Sequence, residues 1–205
     1  MYKGKLITFE GIDGCGKTTQ INLLKEYLLI KGYNAIILRE PGGTSIGEEI
    51  RKILLYNKNY IYPVTEALLY AASRAQLLAE IIIPALDEGK IIIMDRFVDS
   101  SLVYQGYARG LGMEKVMEIN RIATYGIKPD LTIFFDITPE NALTRRKTRK
   151  QNDRFEEENM EFYEKVYEGY HKLINLEPER FVVINAMEDI TMVQKSIINI
   201  INKII

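Results

Sequence analysis

The sequence predicts an α/β protein: a three-layer, doubly wound fold on a five-stranded parallel sheet. Short apolar runs alternate with helical patterns along the chain, as βαβ units do. Those runs are apolar at successive positions and not at alternate ones, which is the pattern of strands covered by helices on both faces. Acidic and glycine-rich segments follow several of the runs, at the carboxyl strand ends where ligands bind in such folds. With 205 residues the chain is read as one domain, residues 1–205, large enough for a full core.

The elements follow in order. A first strand is expected over Leu6–Glu10, and a helix patterned by Ile21, Leu24, Leu28 and Leu29 comes after the glycine-rich stretch behind it. The second strand is Ala35–Arg39. Ser45-Ile46-Gly47-Glu48 then reads as a capping box opening a helix through Leu55. A long helix begins near Val64 and is ended by Gly89. Strands three and four are Lys90–Asp95 and Leu131–Asp136, the latter followed by a cap candidate and a proline at a first helical position, Thr138-Pro139-Glu140. The fifth strand is Arg180–Asn185. In the last helix Ile190, Val193, Ile197, Ile200, Ile201 and Ile204 share one face, expected as core. Lys195, Asn199, Asn202 and Lys203 make it amphipathic and not a membrane span.

Composition narrows the classes of function. Lys+Arg 27 against Asp+Glu 28 leaves no global field for nucleic acid or an anionic membrane. Cys15 is the single cysteine, so no internal disulfide forms, and no signal pattern stands before the first strand. A cytoplasmic location is expected.

The chemistry gathers at strand ends. Gly11-Ile12-Asp13-Gly14-Cys15-Gly16-Lys17-Thr18 matches G-x-x-x-x-G-K-[ST] between a strand and a helix. Its glycines let several N–H groups face an anion, and the helix terminus adds orphan donors and partial positive charge. Lys17 in a first helical turn is electrostatically misplaced unless an anion sits there. Thr18 offers a hydroxyl to Mg²⁺. The loop is therefore read as a nucleotide-phosphate site of the P-loop type. Asp95 tips the third apolar strand, where Mg²⁺ or its waters can be held; its bland reading is a turn cap. Glu40 follows the second strand in Arg39-Glu40-Pro41-Gly42-Gly43-Thr44, a tight connection that sets the acid in the same crevice or leaves it on a surface turn.

Taken with that loop and that turn, Leu69-Tyr70-Ala71-Ala72-Ser73-Arg74, the run from Asp95-Arg96-Phe97 to Tyr104-Gln105-Gly106, and Asp153-Arg154-Phe155-Glu156 resemble the thymidylate kinase family. The segments stand in the family's order and span the chain. The resemblance implies the nucleoside monophosphate kinase variant of the P-loop fold and Mg²⁺-dependent transfer of the ATP γ-phosphoryl to dTMP. The products are dTDP and ADP, on the route to dTTP. It implies Arg51 and Arg96 on the acceptor phosphate and one of Ser100 and Ser101 near it, while Glu40 in the crevice is expected as a substrate contact and, with Thr18 and Asp95, as a metal residue. Asp13 is implied at the deoxyribose 3′-hydroxyl, and Tyr104 beneath the sugar. For the base, Tyr70 and Arg74 are spaced i, i+4 on one helical face. A ring there can stack on a pyrimidine while the guanidinium donates to a base oxygen. Gln105 offers both donor and acceptor to the remaining edge. Without the resemblance, Tyr70 and Tyr104 read as packing aromatics and Arg51 as a solvated helix arginine. A homodimer packed through helices from the middle of the chain is also implied.

The basic stretch from Arg145 to Arg154 reads by itself as a solvated helix end. The resemblance makes it a lid, at about 145–155, that closes over ATP and carries an arginine to the transferring phosphoryl. Asp13 is followed by Gly14, where some family members have an arginine, so the bacterial type of lid is implied. Arg145 and Arg149, one turn apart, are the candidates, with Arg146 an alternative. Cys15 departs from the small residue common at its place. Its thiol is either an inert filler or, beside helix-terminal amides and Lys17, one whose alkylation stops turnover and against which ATP protects. Competing functions are a kinase of the same fold for another monophosphate and a GTP-binding switch. The second lacks its guanine-reading Asn-Lys-x-Asp after the fourth strand.

Overall fold

The computed structural model describes residues 2–146 and 154–205. The predicted parallel sheet is present, with strands β1 Lys5–Glu10, β2 Ala35–Arg39, β3 Ile91–Asp95, β4 Leu131–Asp136 and β5 Phe181–Asn185. They lie in the order β2-β3-β1-β4-β5, and every pairing is parallel. The chain winds from β1 to one side through β2 and β3, then to the other through β4 and β5. Its direction therefore reverses at β1, which puts the crevice of the fold at the carboxyl end of that strand. Leu6, Ile7, Thr8 and Phe9 of β1, Ile92, Ile93 and Met94 of β3, and Ile133, Phe134 and Phe135 of β4 are all buried at consecutive positions, so both faces of the sheet are covered.

The helices are α1 Lys17–Ile30, α2 Ser45–Leu55, α3 Pro63–Leu77, α4 Ile83–Asp87, α5 Val98–Ser101, α6 Met113–Ala123, α7 Pro139–Arg146, α8 Met160–Leu176 and α9 Ile190–Ile201. α1 packs against α9, α3 lies against α2 and α6, and α8 packs on residues 102–108. Wider π-type turns at Leu78–Ile82 and Leu102–Ala108 interrupt otherwise continuous helices. The expected long helix thus runs from Pro63 to Asp87 as α3, a π-type segment and α4, and Gly89 at φ 79° ends it.

Three expectations need correction. The cap of α2 is Thr44 and not Ser45: its hydroxyl accepts from the Gly47 N–H at 3.0 Å. Glu48 then serves the preceding turn, accepting from the Gly43 N–H at 2.8 Å and pairing with Arg39. Lys90 and Arg180 precede their strands, because Arg180 closes a short 3₁₀ turn and turns its guanidinium to Asp99. Of the isoleucine face of α9, Ile197 and Ile201 are buried with Val193, whereas Ile190, in the first turn, is half exposed at 54%. An amphipathic stripe drifts off the core at a helix end, where backbone donors compete for the same space.

Candidate active site

The glycine loop joins β1 to α1 at the reversal point. Gly16 caps the helix at φ 103°, a left-handed conformation that a side chain disfavours. α1 starts at Lys17, whose amine donates to the carbonyls of Gly11 at 2.9 Å and Ile12 at 3.3 Å. The lysine thus lies folded over the inside of the loop, its side chain buried. Thr18 is exposed beside it. Cys15 is 2% exposed and packed in the core, 3.5 Å from the Lys17 amine, a burial that fits the inert-filler reading.

A cleft of about 380 Å³ opens from this loop. It is lined by Asp13, Gly14, Gly16, Lys17 and Thr18 from the loop, Glu40 and Arg51 from the β2–α2 region, Tyr70 and Arg74 from α3, Asp95 at the end of β3 and Arg96 just after it, and Ser101, Tyr104 and Gln105. The sequence-predicted phosphate, sugar and base residues therefore share one cavity. Gly11, Ile12 and Cys15 lie behind it in the loop. Arg149 lies outside the described residues, as does the Arg146 side chain. Arg145 does not line this cleft. It borders a second one of about 290 Å³ with Gly14, Cys15, Gly16 and Gln20, and donates to the Ala186 carbonyl at 2.9 Å.

Arg96 sits at φ 69°, a strained backbone for a residue with a Cβ, and this places its side chain across the cleft. It donates to Asp13 at 2.8 Å and Ser100 at 3.0 Å and lies over the Tyr104 ring. Burial works against its charge, but Tyr104, Asp13, Tyr170 and Glu10 around it outweigh that and hold the guanidinium protonated. Arg51 donates to the Pro41 carbonyl at 2.9 Å. Arg74 is fully buried. Its guanidinium donates to Glu40, Ser101, Asn120 and the Phe97 carbonyl, which account for its five N–H groups, so the donation to a base oxygen expected from the sequence would cost one of these bonds. Burial raises the Glu40 carboxyl, Arg74 opposing, and Glu40 Oε1 has no partner among the described residues. Burial also raises the Tyr70 and Tyr104 phenols, keeping both rings neutral.

Sequence reasoning missed the supports beneath this layer. Glu10, the last residue of β1, accepts from the Phe97 N–H at 2.7 Å, Ser100 at 2.6 Å and the Tyr170 hydroxyl at 2.8 Å, fixing the segment behind Arg96. Glu66 of α3 is wholly buried and accepts from Gln105 at 2.7 Å, and it pairs with Arg109 and Arg154. A signal for Glu66 existed, since Glu66, Tyr70 and Arg74 are spaced i, i+4, i+8 on one face. Glu10 carried one too: an acid ending an apolar strand that leads into a phosphate loop.

A phosphate loop at the reversal point of a parallel sheet, sharing one cleft with arginines from three other segments, defines a P-loop phosphotransferase of the nucleotide kinase class. Comparison with known proteins gives the family. The thymidylate kinase family model matches residues 9–197, and the chain belongs to that family. It is 61% identical over 201 residues to the thymidylate kinase of Thermoanaerobacter sp. (strain X514), covering 98% of both chains. Against that of Caldanaerobacter subterraneus subsp. tengcongensis it is 56% identical over 201 residues, covering 98% of this chain and 96% of the other. The crystal structure of thymidylate kinase from Ehrlichia chaffeensis superposes with a TM-score of 0.80 at 35% identity, covering 97% of this chain and 99% of that one.

Proposed function

We infer that the protein transfers the γ-phosphoryl group of ATP to dTMP, giving dTDP and ADP. The observation that carries this is the shared cleft: the phosphate loop, two arginines suited to an acceptor phosphate, and the Tyr70–Arg74–Gln105 group line one cavity. The acceptor is already an anionic nucleophile, so a general base is not needed. The barrier lies in bringing two polyanions together and stabilising a loose transition state away from water. Lys17 and the loop amides hold the triphosphate. To reach it, Lys17 gives up the loop carbonyls that it now contacts. Arg51 and Arg96 take the monophosphate, for which a guanidinium fork suits bidentate contact. Asp13 and Tyr104 hold the deoxyribose.

The second cleft, behind the loop and bordered by Arg145, is the space for the ATP base. Arg145 is then assigned to ATP, and Arg149 is the lid arginine left for the transferring group, within a lid at about 145–155 of a single domain. Thr18, Asp95 and Glu40 line the same cleft and offer hard oxygens that would suit Mg²⁺, and Glu40 Oε1 has no partner among the described residues. Held there, Mg²⁺ would supply neutralisation of the phosphate charge. We further assign the protein to the cytoplasm and to a homodimer. The test is ADP release with ATP, Mg²⁺ and dTMP, dUMP, UMP, CMP or GMP in turn, on wild type and Gln105→Ala. dTMP is expected to win, with a preference about tenfold weaker in the variant, the value of one hydrogen bond. Preference for another monophosphate leaves the P-loop chemistry standing and overturns the thymine assignment.

A further inference from the structure

We propose that Glu66 is the residue that fixes which way round the Gln105 amide faces the base, and thereby sets discrimination between thymine and cytosine. The inference rests on the reading that Gln105 meets the pyrimidine edge. Glu66 is 0% exposed, and its two oxygens face two guanidiniums: Arg109 on Oε1 at 3.4 Å and Arg154 on Oε2. So enclosed, it is a carboxylate that can only accept. Gln105 Nε2 lies 2.7 Å from Oε1. A flipped amide would set its oxygen against a carboxylate oxygen in a buried site, which is strongly unfavourable. The amide nitrogen is therefore held toward Glu66, and the carbonyl oxygen is the group left for a ligand in the cleft that Gln105 lines.

The bases differ at that point. Thymine and uracil carry N3–H, a donor that suits a carbonyl oxygen. Cytosine carries a bare N3 acceptor, which suits the amide nitrogen and repels the oxygen. A free glutamine could turn to serve either; one clamped by an acceptor-only partner serves the donor. The clamp makes Glu66 a positioning residue, acting through Gln105 without touching substrate. Arg109 also pairs with Glu158 at 2.5 Å, and Arg154 donates to the Leu54 carbonyl at 3.1 Å, so the carboxylate is held from both sides and cannot turn with the amide.

The test measures kcat/KM for dTMP and dCMP, with dCMP also titrated as a competitor against dTMP, on wild type, Glu66→Gln, Gln105→Ala and the double swap Glu66→Gln/Gln105→Glu. The dCMP-to-dTMP ratio is independent of how much of each preparation is active. Glu66→Gln is expected to raise it about tenfold, because an amide in place of the carboxylate can donate or accept, and the neighbouring Gln105 amide is released. The swap keeps one carboxylate and one amide in the buried network and again presents an acceptor to the base. It is expected to bring the ratio back toward wild type, and it keeps the test alive if Glu66→Gln alone does not fold. A Glu66→Gln enzyme that loses activity on both nucleotides equally, or a folded swap no more selective than Glu66→Gln, overturns the proposal. If Gln105→Ala shifts the ratio and Glu66→Gln does not, the clamp is wrong and the base reading stands. If neither shifts it, the base reading itself falls.

Discussion

Glu10 ends β1 with its carboxyl fully enclosed, and burial, reinforced by the Asp99 carboxylate, pushes its pKa from 4.5 up to about 7. Arg96 and the Ser100 and Tyr170 hydroxyls oppose this without cancelling it. A raised carboxyl means that the folded protein binds the proton more tightly than the unfolded chain does. Its contribution to stability is therefore complete below about pH 4.5 and is lost as pH rises through about 7. Two to three pKa units correspond to about 3 kcal/mol. Urea unfolding between pH 5 and 8 is expected to show wild type losing stability relative to Glu10→Gln as pH rises; parallel curves for the two proteins would remove the argument. Residues of this kind mark the limit of what the sequence discloses. The places of Lys17, Thr18 and Asp95 at the cleft were legible, because motif spacing and strand-end position alone put them there. The partners of Glu10 are Phe97, Ser100 and Tyr170, and those of Glu66 include Gln105 and Arg154. No local pattern encodes contacts at such separations.

Among elements, α2 carries Arg51 toward the cleft, and its position depends on a close approach at Gly47. A Cβ there would lie 2.9 Å from the Gly42 carbonyl oxygen and 2.9 Å from the Thr44 hydroxyl that caps the helix. In an open helix Gly→Ala gains about 1 kcal/mol. Here the nearest atom is backbone, and the cap bond at risk is itself worth about 1 kcal/mol, so overpacking is expected to win by about 1–3 kcal/mol. Gly47→Ala should therefore lower the melting temperature. It should also raise KM for dTMP several-fold with a smaller change in kcat, because Arg51 is anchored to the Pro41 carbonyl of the displaced turn. A higher melting temperature with unchanged KM would mean that the turn yields freely. Elements were legible where burial was one-sided or complete, as in β1, β3 and β4. The cap of α2 was misassigned by one residue because Thr44 and Ser45 offer the same hydroxyl, and only backbone geometry distinguishes them. The π-type turns at Leu78–Ile82 and Leu102–Ala108 were not foreseen, since one extra residue in a turn only shifts the phase of a helical pattern and leaves its composition unchanged.

On the scale of the whole molecule, the sheet order β2-β3-β1-β4-β5 was out of reach of the sequence, because parallel strands of similar apolar composition do not name their neighbours. The run Pro63–Asp87 raises the remaining question. It is 25 residues long and holds an 18-residue window with a mean hydropathy of 1.2, enough by length and composition for a membrane span, yet 39% of that window is buried inside the fold. Glu66 and Arg74 on its inner face serve the cleft, an arrangement without sense in a bilayer. Its outer face explains the rest of the apolar character. Val64 and Leu68 are exposed at 55% and 51%, one turn apart, and Ala72 continues the stripe. Tyr60 and Tyr62 stand exposed just before it, at 82% and 67%. Exposed apolar residues so grouped mark an interaction face, to which we assign the homodimer proposed above. Covering one such side chain stabilises by about 1.5–3 kcal/mol, so a carboxylate introduced at the centre of the stripe should outweigh the contact that it replaces. Light scattering is expected to give twice the chain mass of 23.7 kDa for wild type, and Leu68→Glu should shift the population toward 23.7 kDa. Wild type at 23.7 kDa would remove the dimer, while a dimer unmoved by Leu68→Glu would place its interface on another face.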